Sequence, residues 1–159
     1  MSRLALRAFA AADDAALMRW VGSAAELERF AGPTLAWPLT TEQLAALRDD
    51  PRVHAWTAYT DPATRAAVGH VEVVRTGDDA GRVVRVLLDP ARRGEGLGRP
   101  LVAAAIAYAS ALGMARLGLN VFAGNAAAIR AYERLGFADV GEHPADPRVR
   151  IFELRSCSR

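Results

Sequence analysis

The sequence predicts an α/β fold, a mixed sheet with helices on both sides, and three observations carry that prediction. Short segments of strand-like alternation are interleaved with segments of helical periodicity along the chain. Residues 82–112 read as strand, glycine-rich loop, helix, and a second strand-to-helix passage follows over residues 116–135. At 159 residues and 52% hydrophobic composition, there is enough apolar material for one packed core, and one domain over residues 1–159 is expected.

In order, residues 4–8 alternate as an edge strand should, with Leu4 and Leu6 on one side and Arg3 and Arg7 on the other. Asp13 or Asp14 can cap a helix over 15–21, and 26–30 suggests a second, short helix ended by Gly32 and Pro33. Thr40 or Thr41 caps a helix reaching Arg48, with Glu42 and Gln43 in its first turn. Strands are expected over 53–60 and 68–74, and residues 76–81 turn the chain into a central strand, 82–88, closed by Asp89 and Pro90. A helix over 97–112, a strand over 116–122 and a helix over 126–135 follow. Two closing strands, 138–142 and 149–154, are separated by a loop from His143 to Pro147.

Composition narrows the function classes. The net charge is +2 and the basic residues, all arginine, are scattered among acids, which gives no footprint for nucleic acid. The single cysteine, Cys157, has no partner for an internal disulfide, and a reducing cytoplasm is expected. Arg7, Asp13 and Asp14 interrupt any secretory apolar stretch, and no segment approaches the roughly 20 apolar residues of a membrane span.

The chemistry concentrates in Arg92-Arg93-Gly94-Glu95-Gly96-Leu97-Gly98, between the central strand and its helix. Glycines entering a helix let backbone N–H groups converge on an anion, and the helix N-terminus adds partial positive charge. The spacing GxGxG is not the GxGxxG of a dinucleotide fold, and a chain without lysine cannot supply a GxxxxGK nucleotide loop. Arg93-xx-Gly96-x-Gly98 instead resembles the acyl-CoA pyrophosphate loop of the GNAT superfamily of N-acetyltransferases. Downstream, LGLNVFAGNAAAIRAYERLGF is similar to the second signature of that family. Together the two segments look closest to the branch holding the RimJ/RimL-type N-terminal acetyltransferases and the small-molecule amine acetyltransferases.

The resemblance implies a mixed, mostly antiparallel sheet of six to seven strands flanked by helices, with acetyl-CoA as co-substrate and no metal. It places the pyrophosphate on the backbone from Arg93 to Gly98, with Arg92 and Arg93 adding charge, and the pantetheine arm along Val86, Leu87 and Leu88. Asn125 suits the N-cap of the helix it opens and also falls near the pantetheine. Tyr132 matches the family's proton donor to the departing thiolate; the same residue also suits packing against Ile129 and Leu135. For the base, the central strand offers Arg82 and Arg85 but no acid, which leaves Glu72 on the neighbouring strand, with His70 on the same face. Water or an amine already deprotonated are the other routes. Phe30 and Trp37 are candidates for the acceptor wall, and both also suit the core.

The function expected is transfer of an acetyl group from acetyl-CoA to a primary amine, of a small molecule or a protein N-terminus, by direct attack in a ternary complex. A non-catalytic acyl-CoA-binding sensor or interaction module is the rival. A homodimer is the expected self-association, with no nucleic-acid or membrane partner.

Overall fold

The computed structural model describes residues 3–155; Cys157 lies outside them. Seven strands form one sheet: β1 (Ala5–Ala8), β2 (Val53–Tyr59), β3 (Gly69–Arg75), β4 (Ala80–Leu88), β5 (Arg116–Phe122), β6 (Ala138–His143) and β7 (Asp146–Arg155). Their spatial order is β1-β2-β3-β4-β5-β7-β6, and every pairing is antiparallel except the parallel one between β4 and β5. Five α-helices accompany them: α1 (Asp14–Trp20), α2 (Ala24–Ala31), α3 (Thr41–Asp49), α4 (Gly98–Ala111) and α5 (Ala126–Arg134).

The helix starts follow from capping chemistry. Ser23 accepts from the Glu26 N–H at 3.2 Å to open α2, and Thr40 accepts from the Gln43 N–H at 3.3 Å to open α3. The loop expected between the last two strands shrinks to two residues, Pro144 and Ala145, because His143 pairs directly with Asp146.

Strand alternation splits the side chains between two cores. Val71 and Val73 of β3 face Leu101, Val102, Ala105 and Ala109 of α4, in a cluster completed by Leu117, Leu119, Phe137 and Phe152. The opposite face is closed by α1, α2 and α3 through Leu17, Trp20, Leu27, Phe30 and Leu44. Gly81 is required where β4 meets β5, since a Cβ there would lie 2.6 Å from Met114 Sδ and 3.1 Å from Val73.

That seam is what positions the site. β4 pairs with β5 only from Ala80↔Arg116 to Arg82↔Gly118, and beyond that the two parallel strands splay apart. The rest of β4, through Leu88, therefore has a strand neighbour on its β3 side alone.

Candidate active site

α4 begins without the side-chain cap that α2, α3 and α5 possess. The first-turn N–H groups it does have, those of Gly98 and Arg99 since Pro100 carries none, are therefore without a side-chain acceptor among the described residues, and at such a helix end a negative ligand is favoured by both hydrogen bonding and the helix dipole. Gly94 and Gly96 take φ of +84° and +75°, which only glycine adopts freely, and a Cβ at either would meet nothing within 4 Å. Strain, not crowding, is what demands glycine at these two positions. The Leu97 side chain is buried in the α4 core, which leaves its backbone to the loop.

The two arginines of this loop part company. Arg92 Nε is held by Glu95 at 2.7 Å, an ion pair that raises the Arg92 pKa from its ordinary value and commits Glu95 as well. Arg93 is exposed and has no ion-pair partner among the described residues. It is the guanidinium available to an incoming anion.

At the other side of the opening stands α5. Asn125 caps it, Oδ1 accepting from the Ala128 N–H at 3.3 Å. The helix ends in a glycine turn: the Gly136 N–H donates to Glu133 O at 3.0 Å and the Phe137 N–H to Tyr132 O at 3.1 Å, with Gly136 at φ +98°. This turn folds Phe137 back onto the helix, where its ring meets that of Tyr132 edge-on at 6.0 Å. Tyr132 is half-buried against the α4 core, its hydroxyl has no hydrogen-bond partner among the described residues, and burial pushes its phenol above the usual value. A tyrosine so placed stays protonated at neutral pH and can give a proton.

Between these elements β4 carries a bulge. His70 pairs with Leu87 but Glu72 with Val84, so two residues of β4, Arg85 and Val86, answer one of β3. Arg85 takes φ +49°, a left-handed conformation that costs a non-glycine residue roughly 1–3 kcal/mol. The extra residue shifts the alternation. Val83, Val86 and Leu88 all face the α4 core, while Leu87 faces α1–α3 and Arg85 reaches Glu72 on that same side.

Glu72 is fully buried, at 0% exposure, and His70 is at 2%. Both lie on the α1–α3 face, as alternation places them, and they touch: His70 Nε2 is 2.7 Å from Glu72 Oε2. Arg85 Nε lies 2.8 Å from the other carboxylate oxygen, with its N–H off the line, so this contact is an ion pair without an aligned hydrogen bond. Phe9 and Phe30 meet the His70 ring edge-on at 4.6 Å and 6.0 Å and seal the cluster from the helix side. Three of the four acceptor-side candidates, Phe30, His70 and Glu72, therefore come together. Trp37 does not join them; it is 46% exposed, on a loop that Gln43 fixes by accepting from Ala36 N at 2.8 Å and donating to Ala36 O and Pro38 O. Arg85 is the member that sequence reasoning passed over. Its signal was the spacing of Arg82 and Arg85, three apart in a strand whose period is two, which in a regular strand would drive one charge into the α4 core.

Residues 18–137 match the Acetyltransferase (GNAT) family. The chain belongs to the GNAT acetyltransferase family. Within it, the GNAT chain is 36% identical over 110 residues to a mycothiol acetyltransferase of Salinispora tropica, covering 65% of this chain and 36% of the relative. A mycothiol acetyltransferase of Streptosporangium roseum is 49% identical over 57 residues, 36% of this chain and 17% of the relative. The chain thus spans about a sixth to a third of the length of these curated relatives. Among solved structures, the spermidine N-acetyltransferase of Vibrio cholerae in complex with CoA and spermine superposes with a TM-score of 0.81 at 18% identity, over 98% of this chain and 97% of that one. The GNAT fold, with its mostly antiparallel sheet, is the one expected from the sequence. No helix among the described residues is long and apolar enough to cross a membrane.

Proposed function

We propose that this GNAT chain is an N-acetyltransferase that moves an acetyl group from acetyl-CoA to a primary amine by direct attack in a ternary complex. What supports the reading is that, where β4 and β5 part, the chain leaves β4 for an uncapped helix start behind two left-handed glycines and leaves β5 for the helix that carries a half-buried tyrosine hydroxyl without a partner among the described residues. Acetyl-CoA supplies the activated thioester and a thiolate leaving group. The backbone from Arg93 to Gly98 holds the pyrophosphate, and the exposed Arg93 adds a charge-assisted contact. Val86, Leu87 and Leu88 offer their main chain as a strand offers an edge, and an N–H there polarises the thioester carbonyl. Asn125 caps the helix that carries Tyr132, and Tyr132 protonates the thiolate.

The amine enters neutral or yields its proton to water, because the Glu72 carboxylate is closed off from solvent, one oxygen against His70 and the other facing Arg85. For the acceptor wall, Trp37 is the aromatic open to solvent, whereas Phe30 is spent against His70. The setting proposed is a reducing cytoplasm, with self-association as a homodimer.

Calorimetric titration with acetyl-CoA, against ATP and NAD as controls, tests the cofactor, and thiol release with spermidine, other small amines and peptides tests the reaction. Selective binding with amine-dependent release is expected. Binding without release from any amine would favour a non-catalytic module, and no binding would end the acyl-CoA reading.

A further inference from the structure

We propose that Glu72 is a positioning residue: its buried carboxylate holds Arg85 in the left-handed conformation and so fixes the β4 bulge that aims the backbone of Val86, Leu87 and Leu88 into the opening beside β5. For its effect on turnover the inference rests on the acetyltransferase reading above; for its effect on structure it rests on the bulge alone.

Three observations support the clamp. The pairing register slips at the step between His70 and Glu72, directly across from Arg85. A left-handed arginine in a strand needs something to hold it there, and the group in contact is a carboxylate 2.8 Å from its Nε, with both side chains buried. The second oxygen of that carboxylate is taken by His70, itself covered by Phe9 and Phe30, so Glu72 is anchored at both ends. A general base needs a free oxygen within reach of its proton, and Glu72 presents none to solvent.

Without the bulge the alternation of β4 would be restored beyond Arg85. Val86 and Leu88 would turn from the α4 core, Leu87 would turn into it, and every N–H and C=O from Val86 onward would point to the other edge. The backbone groups facing the opening would no longer be the same ones. Glu72 thus governs the site through main-chain direction, without touching a reactant.

The test uses the full chain and three variants: Glu72→Gln, Arg85→Gly, and the two combined. Gln keeps the shape but removes the charge that holds Arg85. Glycine takes a positive φ without a Cβ penalty, so the combined variant keeps the bulge with no clamp. Glu72→Gln is expected to lower kcat/KM for acetyl-CoA at least about tenfold, and the combined variant to return to within about threefold of the wild type. A combined variant as slow as Glu72→Gln would mean that the carboxylate acts on the amine itself, and would overturn the proposal.

A second readout needs no acetyl-CoA. Backbone amide exchange over residues 84–88 should quicken in Glu72→Gln and slow again in the combined variant; exchange that does not change overturns the clamp even where turnover falls. Should the wild type neither bind nor turn over acetyl-CoA, the functional reading fails and exchange alone decides the clamp. If Glu72→Gln does not fold, a combined variant that folds supports the clamp and one that also fails to fold overturns it.

Discussion

The two faces of the sheet are built from different materials. Behind β3 and β4, the face toward α4 is closed by aliphatic and aromatic side chains alone: Val71, Val73, Val83, Leu101, Val102 and Phe152 are buried there without a charged group among them. The face toward α1, α2 and α3 buries Asp13, Asp14, Thr57, His70, Glu72 and Arg85. Each acid there is answered. Arg7 grips Asp13 through two nitrogens at 2.8 Å, Arg48 binds Asp14, and Arg85 faces Glu72. Apolar contacts are non-directional, so the α4 face settles that the chain folds. Buried charges tolerate few arrangements, so the α1–α3 face settles where β4 and the first helices sit.

The largest effects should separate these two kinds of face. Phe152→Ala removes a side chain 1% exposed and should cost about 3–5 kcal/mol of stability in urea unfolding. Glu72→Met alone should cost about as much, because Arg85 is left buried without a counter-charge. Adding Arg85→Met should recover the part of that loss due to the stranded charge, whereas no single partner change near Phe152 can refill its cavity. If the pair of methionines is no more stable than Glu72→Met, the cost lies in shape, and the contrast between the faces falls.

Next in size comes Tyr132→Phe. It keeps the ring against Phe137 and the α4 core and deletes only the hydroxyl, so the melting temperature should hold. Turnover should fall by about 10²-fold, in the range of a lost general acid, with acetyl-CoA affinity unchanged. Equal turnover would remove Tyr132 from the reaction.

Acid should then loosen the α1–α3 face first. Burial pushes the Asp13 carboxyl up, but donors from Arg7, the Ala10 N–H and Thr57 outweigh it and hold the group below the usual carboxylate range. A carboxylate with a lowered folded pKa contributes stability that is present above its unfolded value near 3.8 and is lost as pH falls through the folded value. Asp13→Asn should flatten the acid limb of the stability curve below about pH 4. An acid limb identical to that of the wild type would show that Asp13 is not among the groups that set it.

Much of this was legible from sequence for a physical reason: glycines, caps and periodicity are local. The loop from Arg93 to Gly98 and the capping Asn125 each act within a few residues of themselves, and both stand where their motifs put them. Strand alternation likewise placed His70 and Glu72 on one face. What alternation could not supply was depth or partnership. Glu72 stood as the candidate base on its strand and face alone, and its burial against Arg85, thirteen positions later, comes from a bulge that no turn residue announces. Trp37, equally suited to core and wall, is decided by Gln43, whose amide reaches back to Ala36 and Pro38 and holds the loop outward.

The smallest effect is expected where charge is most conspicuous. Asp146 and Arg148 meet at 2.8 Å, and the hydrogen bonds from Arg148 hold the Asp146 carboxyl down at about 2. By pH range alone this pair ranks as the stronger one, since its stabilisation is present above the unfolded value of 3.8 and persists until pH falls through about 2. Yet the pair sits at the open β6–β7 turn, Arg148 exposed and Asp146 half-buried, where solvent reaches and screens the attraction and the long Arg148 side chain must be ordered to make it. Asp146→Asn should therefore move the melting temperature by no more than about 1 °C, and 0.5 M salt should erase even that. A larger, salt-resistant loss would mean that the turn, not the buried face, carries part of the ionic stability, and would reverse the order in which the charges of this chain matter.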